Sequence, residues 1–295
     1  MKAKKANPLH VTLEMIKIEH TVFALPFAFL GAILAYRGLP PLPVWGWILL
    51  AMVGARSAAM AFNRLVDASI DTQNPRTRER ALPRGLVTQG YVIGFTVISV
   101  GVFLLAAFML NRLSFILAFP ALVVILGYSF TKRFTSLSHL LLGLSLSIAP
   151  AGGWIAVTGT FSPLIFILSA VVVTWVAGFD VIYACQDYKF DSHFGLYSIP
   201  VKFGIEKALR ISFYLHLATV AGLAVMVWAF QLSWFSGVGI VFLAAILAYE
   251  HHLIPPDNLA RVNLAFFTIN GIFSIMLFLL VLCDLLIITP AWSHT

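Results

Sequence analysis

Two short acidic runs hold the side chains best suited to chemistry. The first, NRLVDASID, places Asn63, Asp67 and Asp71 four residues apart, and the second, YACQDYKFD, places Tyr183, Asp187 and Asp191 at the same spacing. All three positions are offset by 120 residues between the runs. Four residues of helix rise about 6 Å and return to nearly the same face, so each run turns its oxygens one way. Asp180, seven residues before Asp187, and Arg56, seven before Asn63, extend those faces further into the chain's apolar segments. Carboxylates gathered around one cavity repel unless cations neutralise them. Magnesium prefers oxygen ligands, keeps waters, and is commonly held by one or two carboxylates together with substrate phosphates. Asp67, Asp71, Asp187 and Asp191 therefore read as the catalytic set, ligating two Mg2+ ions bridged by a diphosphate. Arg76 and Arg78, in the segment after the first run, offer forked donors to the same anion. Arg76, Arg78, Arg80 and Arg84 serve equally well as a topology signal or a patch for anionic lipid heads.

Such a cluster needs elements that hold it at one surface, and the composition says what they are. The 295-residue chain is 60% hydrophobic and only 11% charged, against roughly 25% charged in a soluble domain. A spanning structure in lipid is helical or a closed barrel. Here the apolar runs are about 20 residues long, the length of a membrane helix rather than of a barrel strand. Nine spans are expected, near 18–36, 43–66, 91–110, 113–130, 138–158, 162–184, 208–230, 234–250 and 264–288. No cleavable leader is expected before the first. Cys185 and Cys283 have neither metal nor disulfide spacing and read as small helix residues. His251 and His252 read as loop, and Asp284 as interfacial.

Lysine and arginine set the orientation. With the N-terminus inside, the inner segments carry Lys2, Lys4, Lys5, Lys17, the cluster Arg64 to Arg84, Lys132, Arg133, Lys189, Lys202, Lys207, Arg210 and Arg261, while the outer loops carry only Arg37 and Arg112. Topology alone accounts for the formal charge of +7, and no nucleic-acid partner is implied. Lys132 and Arg133 read first as such signals, with Lys132 a reserve contact for the diphosphate. Glu14, Lys17, Glu19 and His20 fall at the inner end of the first span, Lys17 as a candidate anion contact. The two acidic runs open the two longest inner loops, each after an even-numbered span. That makes a parallel repeat, two similar halves about an axis along the membrane normal. The expected fold is all-α: one membrane-embedded domain, residues 1–295, nine helices around a central cavity, with an internal repeat of about 1–135 and 136–295. The substrate expected in a bilayer-embedded vault with a diphosphate site is a diphosphate head on a long lipid tail.

These residues resemble the UbiA superfamily of intramembrane prenyltransferases. The resemblance is carried by Asn63–Asp71 with NPRTRERALPRG at Asn74–Gly85, and by Tyr183–Asp191 with GLYSIPVKFG at Gly195–Gly204. The second pair is similar to the 4-hydroxybenzoate polyprenyltransferase branch and its quinone-pathway relatives. The likeness extends over nearly the whole chain, including KIEHTVFALPFAFLGAILA at Lys17–Ala35. It implies nine helices around a cavity capped by the two long loops, magnesium, and a polyprenyl diphosphate donor. It also implies transfer to a small aromatic acid: the allylic C–O bond ionises, an electron-rich ring carbon attacks, and loss of the ring proton restores aromaticity. Tyr128, Tyr183 and the phenylalanines would shelter the cation, and Arg56 would meet the acceptor carboxylate or the diphosphate. Two departures stand out. Many members open the first motif Asn-Asp, where Asn63 is followed here by Arg64. Members also tend to carry an arginine near the inner end of the first helix, where Lys17 is the nearest candidate.

The acceptor alternatives are 4-hydroxybenzoate or a similar ring in quinone biosynthesis, and a naphthoate-type menaquinone precursor. From other classes, a transporter of an anionic substrate also has parallel repeats and intramembrane carboxylates, but its site usually lies at the midplane on broken helices. A CDP-alcohol phosphotransferase needs D-x-x-D-G-x-x-A-R, which the sequence lacks. The partners expected are the polyprenyl diphosphate, the aromatic acid and the lipid bilayer, with no obligatory protein partner evident. The expected location is a bacterial inner membrane, N-terminus cytoplasmic.

Overall fold

The computed structural model describes residues 8–17 and 21–288. Lys2, Lys4, Lys5, Glu19 and His20 lie outside the described residues, as does the start of the first expected span. Among the described residues every regular element is helical: α1 Pro8–Met15, α2 Thr21–Tyr36, α3 Leu42–Val66, α4 Ala68–Gln73, α5 Gln89–Leu110, α6 Arg112–Gly127, α7 Ser138–Thr158, α8 Leu164–Ala184, α9 Tyr188–Phe194, α10 Ile199–Phe203, α11 Ile205–Ala229, α12 Trp234–Leu253, α13 Val262–Leu264 and α14 Asn270–Cys283. A 3-10 turn, Tyr128–Arg133, prolongs α6, and π turns Ala265–Ile269 and Asp284–Ile288 make α13 and α14 one continuous rod.

Among the described residues, eight helices are long and apolar enough to cross a membrane, and α2 contributes only a shorter apolar stretch, Ala24–Tyr36. Of the nine spans expected, eight are present at full length among the described residues, and the first is represented only by this shorter helix. Local signals explain the ends. Asn111 caps α6 by accepting from the Ser114 N–H at 2.8 Å, and its amide donates to the Ile155 carbonyl at 2.8 Å, tying that end to α7. Gly159 and Gly195 stop α7 and α9 in left-handed backbone, the conformation only glycine takes without penalty.

Helix α8 sits at the centre, packed on α7 and α11, while α2 packs on α7 and α14 and α3 on α5. Trp175 of α8 is fully buried, stacked 5.2 Å from Phe273 and tilted against Phe27 at 4.9 Å. Side chains such as Ile98, Val123, Phe166 and Trp228 are exposed, as a lipid-facing surface requires.

Candidate active site

The two acidic runs adopt the same local fold. Helix α3 ends at Val66, Asp67 takes φ −91° and ψ 2°, and α4 restarts at Ala68. Asp187 takes φ −92° and ψ 1° and starts α9 at Tyr188. The bridge region that both occupy is sparsely populated and frequent at active sites. It bends each helix where its first aspartate stands.

The aspartates are charge-compensated by the chain itself. Lys132 Nζ lies 2.6 Å from Asp67 Oδ2, Asn63 donates to the same oxygen at 3.2 Å, and Arg133 reaches Oδ1 at 3.3 Å. Arg80 Nη1 donates to both oxygens of Asp71 at 2.8 and 2.7 Å. Arg64 lies 3.9 Å from Asp71 and also donates to the Met15 carbonyl. Arg76 grips Asp187 with a fork, Nε to Oδ1 at 2.8 Å and Nη2 to Oδ2 at 2.5 Å, and donates from Nη1 to the Tyr183 hydroxyl at 3.0 Å. Asn74 orders this loop by accepting from the Arg76 N–H and donating to Asp187 at 3.3 Å. The loop after the first acidic run therefore holds an aspartate of the second directly. In return, the Tyr197 N–H donates to the Lys132 carbonyl at 2.8 Å.

Asp191 differs, with no hydrogen bond or ion pair to its carboxylate among the described residues.

Behind this mouth opens a cavity of about 980 Å³ lined by Arg56, Asn63, Arg76, Arg80, Tyr128, Asp180 and Tyr183 among mostly apolar walls. Its wall on α3 runs from Ile48 to Arg64, about 24 Å of helix rise. Small residues keep it open: Ala51, Ala55 and Ala59 on α3, Ala118 and Ala121 on α6. Tyr183 packs on Phe266 at 4.2 Å beneath the Arg76 guanidinium. Lys17 and Glu14 stand at the rim.

Asp67, Asp71, Asp187, Asn63, Arg76, Lys132 and Tyr183 share one network, with Asp191 within electrostatic range of Lys132 and Arg76. Arg56 and Tyr128 line the cavity deeper in. Arg78 turns away, its side chain 63% exposed and paired with Glu79; Arg80, nine residues beyond Asp71, takes the inward place. Asn74, Arg80 and Arg133 join the site from segments whose spacing carries no periodic signal, and a cation there also serves topology. His251 and His252 are not loop: both lie in the last turn of α12, and His251 meets His216 at 2.9 Å. Asp284, expected at the interface, is fully buried at the end of the last span and accepts from the N–H and hydroxyl groups of Ser233 and Ser236.

Among the described residues no three His, Cys, Asp or Glu side chains form a ready metal cage. The donor chemistry still suits magnesium, which seldom relies on an all-protein cage and completes its shell with water and substrate phosphate. Asp67, Asp71 and Asp187 are held by basic groups able to take up an anion, beside a cavity whose lining includes Asn63, Arg76, Arg80 and Tyr183 but not the aspartates themselves.

The sequence of the UbiA prenyltransferase family matches residues 24–283. A 4-hydroxybenzoate octaprenyltransferase from Vibrio parahaemolyticus is 31% identical over 255 residues, covering 86% of this chain and 89% of that protein. A 4-hydroxybenzoate solanesyltransferase from Synechocystis sp. is 31% identical over 73% of this chain and 74% of its own length. Among solved structures, an apo UbiA homolog from Aeropyrum pernix K1 superposes with a TM-score of 0.83 at 33% identity, covering 90% of this chain and 98% of that one. A UbiA homolog from Archaeoglobus fulgidus bound to GPP and Mg2+ shares the fold, with a TM-score of 0.72 at 20% identity over 92% of this chain and 99% of that one.

Proposed function

This chain belongs to the UbiA prenyltransferase family, and from that premise we propose that it transfers a polyprenyl group from polyprenyl diphosphate to the ring of 4-hydroxybenzoate or a closely similar aromatic acid. The carrying observation is the convergence of both acidic runs on one cavity mouth, with Arg76 of the first-half loop forked onto Asp187 of the second. The names of the relatives from Vibrio and Synechocystis support the acceptor, and the Archaeoglobus homolog supports a magnesium-bound diphosphate.

Asp67, Asp71, Asp187 and Asp191 would hold magnesium, which when bound neutralises charge gathering on the departing diphosphate. The side chains do the rest. Arg76, Arg80 and Lys132, which cover aspartates in the free chain, are placed to grip the diphosphate by charge-assisted hydrogen bonds. Tyr183, Phe179 and Phe266 line the cavity next to the mouth, where aromatic faces can stabilise an allylic cation. The apolar walls exclude water that would quench it. Arg56, deeper along α3, is the residue for the acceptor carboxylate. The matched backbone at Asp67 and Asp187 supports one domain of two repeats, about 1–135 and 136–295. The lysine and arginine asymmetry supports a mouth on the cytoplasmic face of an inner membrane.

Prenyl transfer by Asp67→Ala and Asp191→Ala proteins in magnesium buffer is the test. Both should lose at least about 100-fold in kcat, the range for deleting one electrostatic stabiliser. Near-normal turnover in both would remove the carboxylates from the reaction.

A further inference from the structure

Asp180 has no part in the mouth network, yet it lines the same cavity. It sits on α8 seven residues before Asp187, about 10 Å of helix rise further in. His139 of α7 holds it: the His139 Nδ1 to Asp180 Oδ2 distance is 2.7 Å, and the imidazole is 4% exposed. The other ring nitrogen settles the tautomer. His139 Nε2 accepts the backbone N–H of Ile199 at 3.3 Å, so the ring proton resides on Nδ1 and is donated to the carboxylate. Ile199 is itself anchored as the first residue of α10, which Ser198 caps. Asp180 Oδ1 accepts no hydrogen bond among the described residues, and the side chain is 20% exposed in a chain whose cavity it lines. One oxygen is pinned and the other is left for a ligand. Tyr128 and Arg56 line the same cavity, and Tyr128 lies within electrostatic range of both Asp180 and Arg56.

An intramembrane carboxylate that makes no ion pair with lysine or arginine is costly and points to function. Prenylation of a ring leaves a proton to be removed in a cavity that excludes water. We propose that Asp180 is the base that takes this proton, and that His139 is the residue that positions it. The inference rests on the prenyl transfer proposed above. The allylic C–O bond breaks with its electron pair leaving on the diphosphate, and ring π electrons form the new C–C bond. The C–H pair at that carbon then restores the aromatic sextet. Its proton passes to Asp180 Oδ1, to be released to water at the mouth when product leaves. The competing base is the departing diphosphate, whose magnesium-binding aspartates stand about two helical turns away.

The experiment uses the full-length protein in lipid nanodiscs with Mg2+, geranyl diphosphate, and either ordinary 4-hydroxybenzoate or the same acid deuterated at both ring carbons beside the hydroxyl. Wild-type protein should show an isotope effect on kcat close to unity. Asp180→Asn should lose at least about 100-fold, the scale of general base catalysis, should gain a clear normal isotope effect, and should bind geranyl diphosphate with unchanged affinity. His139→Ala should lose less and show the same isotope effect. Wild-type turnover in Asp180→Asn would overturn the assignment and leave the proton to the diphosphate. Loss of donor binding, or slow turnover without an isotope effect in both variants, would overturn it in favour of a structural role. Wild-type protein that binds donor but makes no prenylated acid would overturn the reaction and this inference together.

Discussion

At the scale of single residues, partner identity decides what a charge is for. Five basic groups, Arg64, Arg76, Arg80, Lys132 and Arg133, reach Asp67, Asp71 and Asp187, so the ligand-free chain itself pairs three of the four aspartates. Arg78 and Arg80 are two residues apart in one loop and could not be ranked from sequence, because spacing outside a regular helix does not fix direction. In the structure Arg80 forks onto Asp71 and Arg78 faces outward. Arg80→Ala should therefore raise the KM for diphosphate donor and lower kcat, by about 10-fold or more for a charge-assisted contact. Arg78→Ala should stay within about twofold in the same steady-state assay. The four aspartates, Asn63 and Tyr183 were legible because a four-residue spacing on a helix is periodic information. His139 was not, since a lone histidine near the end of an apolar segment carries no pattern.

At the scale of elements, close approach between helices is set by the absence of side chains. A Cβ on Gly153 of α7 would fall inside contact distance of the Ala28 carbonyl oxygen of α2, and one on Gly31 of α2 would meet the Pro150 carbonyl of α7. Small residues of this kind let membrane helices pack backbone to backbone. Gly153→Leu should push α2 from α7 and cost about 1–3 kcal/mol, the usual range for overpacking, read as a fall in the thermal midpoint of the detergent-solubilised protein. A second element depends on one buried acid. Asp284, at the end of the last span, accepts the free N–H groups of Ser233 and Ser236 at the start of α12, donors that every helix start leaves unpaired. Asp284→Ala should destabilise the fold by about 1–3 kcal/mol by orphaning them, with the midpoint lowered and the KM values for both substrates unchanged. The sequence showed the spans, because twenty-residue apolar runs are long-range signals. It did not show that Asp284 and Ser233 meet, because that contact joins residues 51 apart that share no periodicity.

For the whole molecule, the cavity decides which substrates enter. Ala118 lines its deeper part, ten residues or about 15 Å along the α6 rod from Tyr128, with Ser114 beyond it. Ala118→Phe should fill that end while leaving the mouth intact. The kcat/KM for a long polyprenyl diphosphate should fall at least about 10-fold relative to geranyl diphosphate, measured in parallel with one acceptor; an unchanged ratio would place the tail elsewhere. The existence of a vault was legible from sequence, since carboxylates within apolar helices need a shared polar space. Its depth was not, because depth is set by which alanines of neighbouring helices face one another. A pyrophosphate is two like phosphoryl units about a bridging oxygen. Asp67 and Asp187 offer the same acid on the same backbone conformation, so a diphosphate bound between them as proposed would find either of its ends acceptable until the lipid tail breaks the tie.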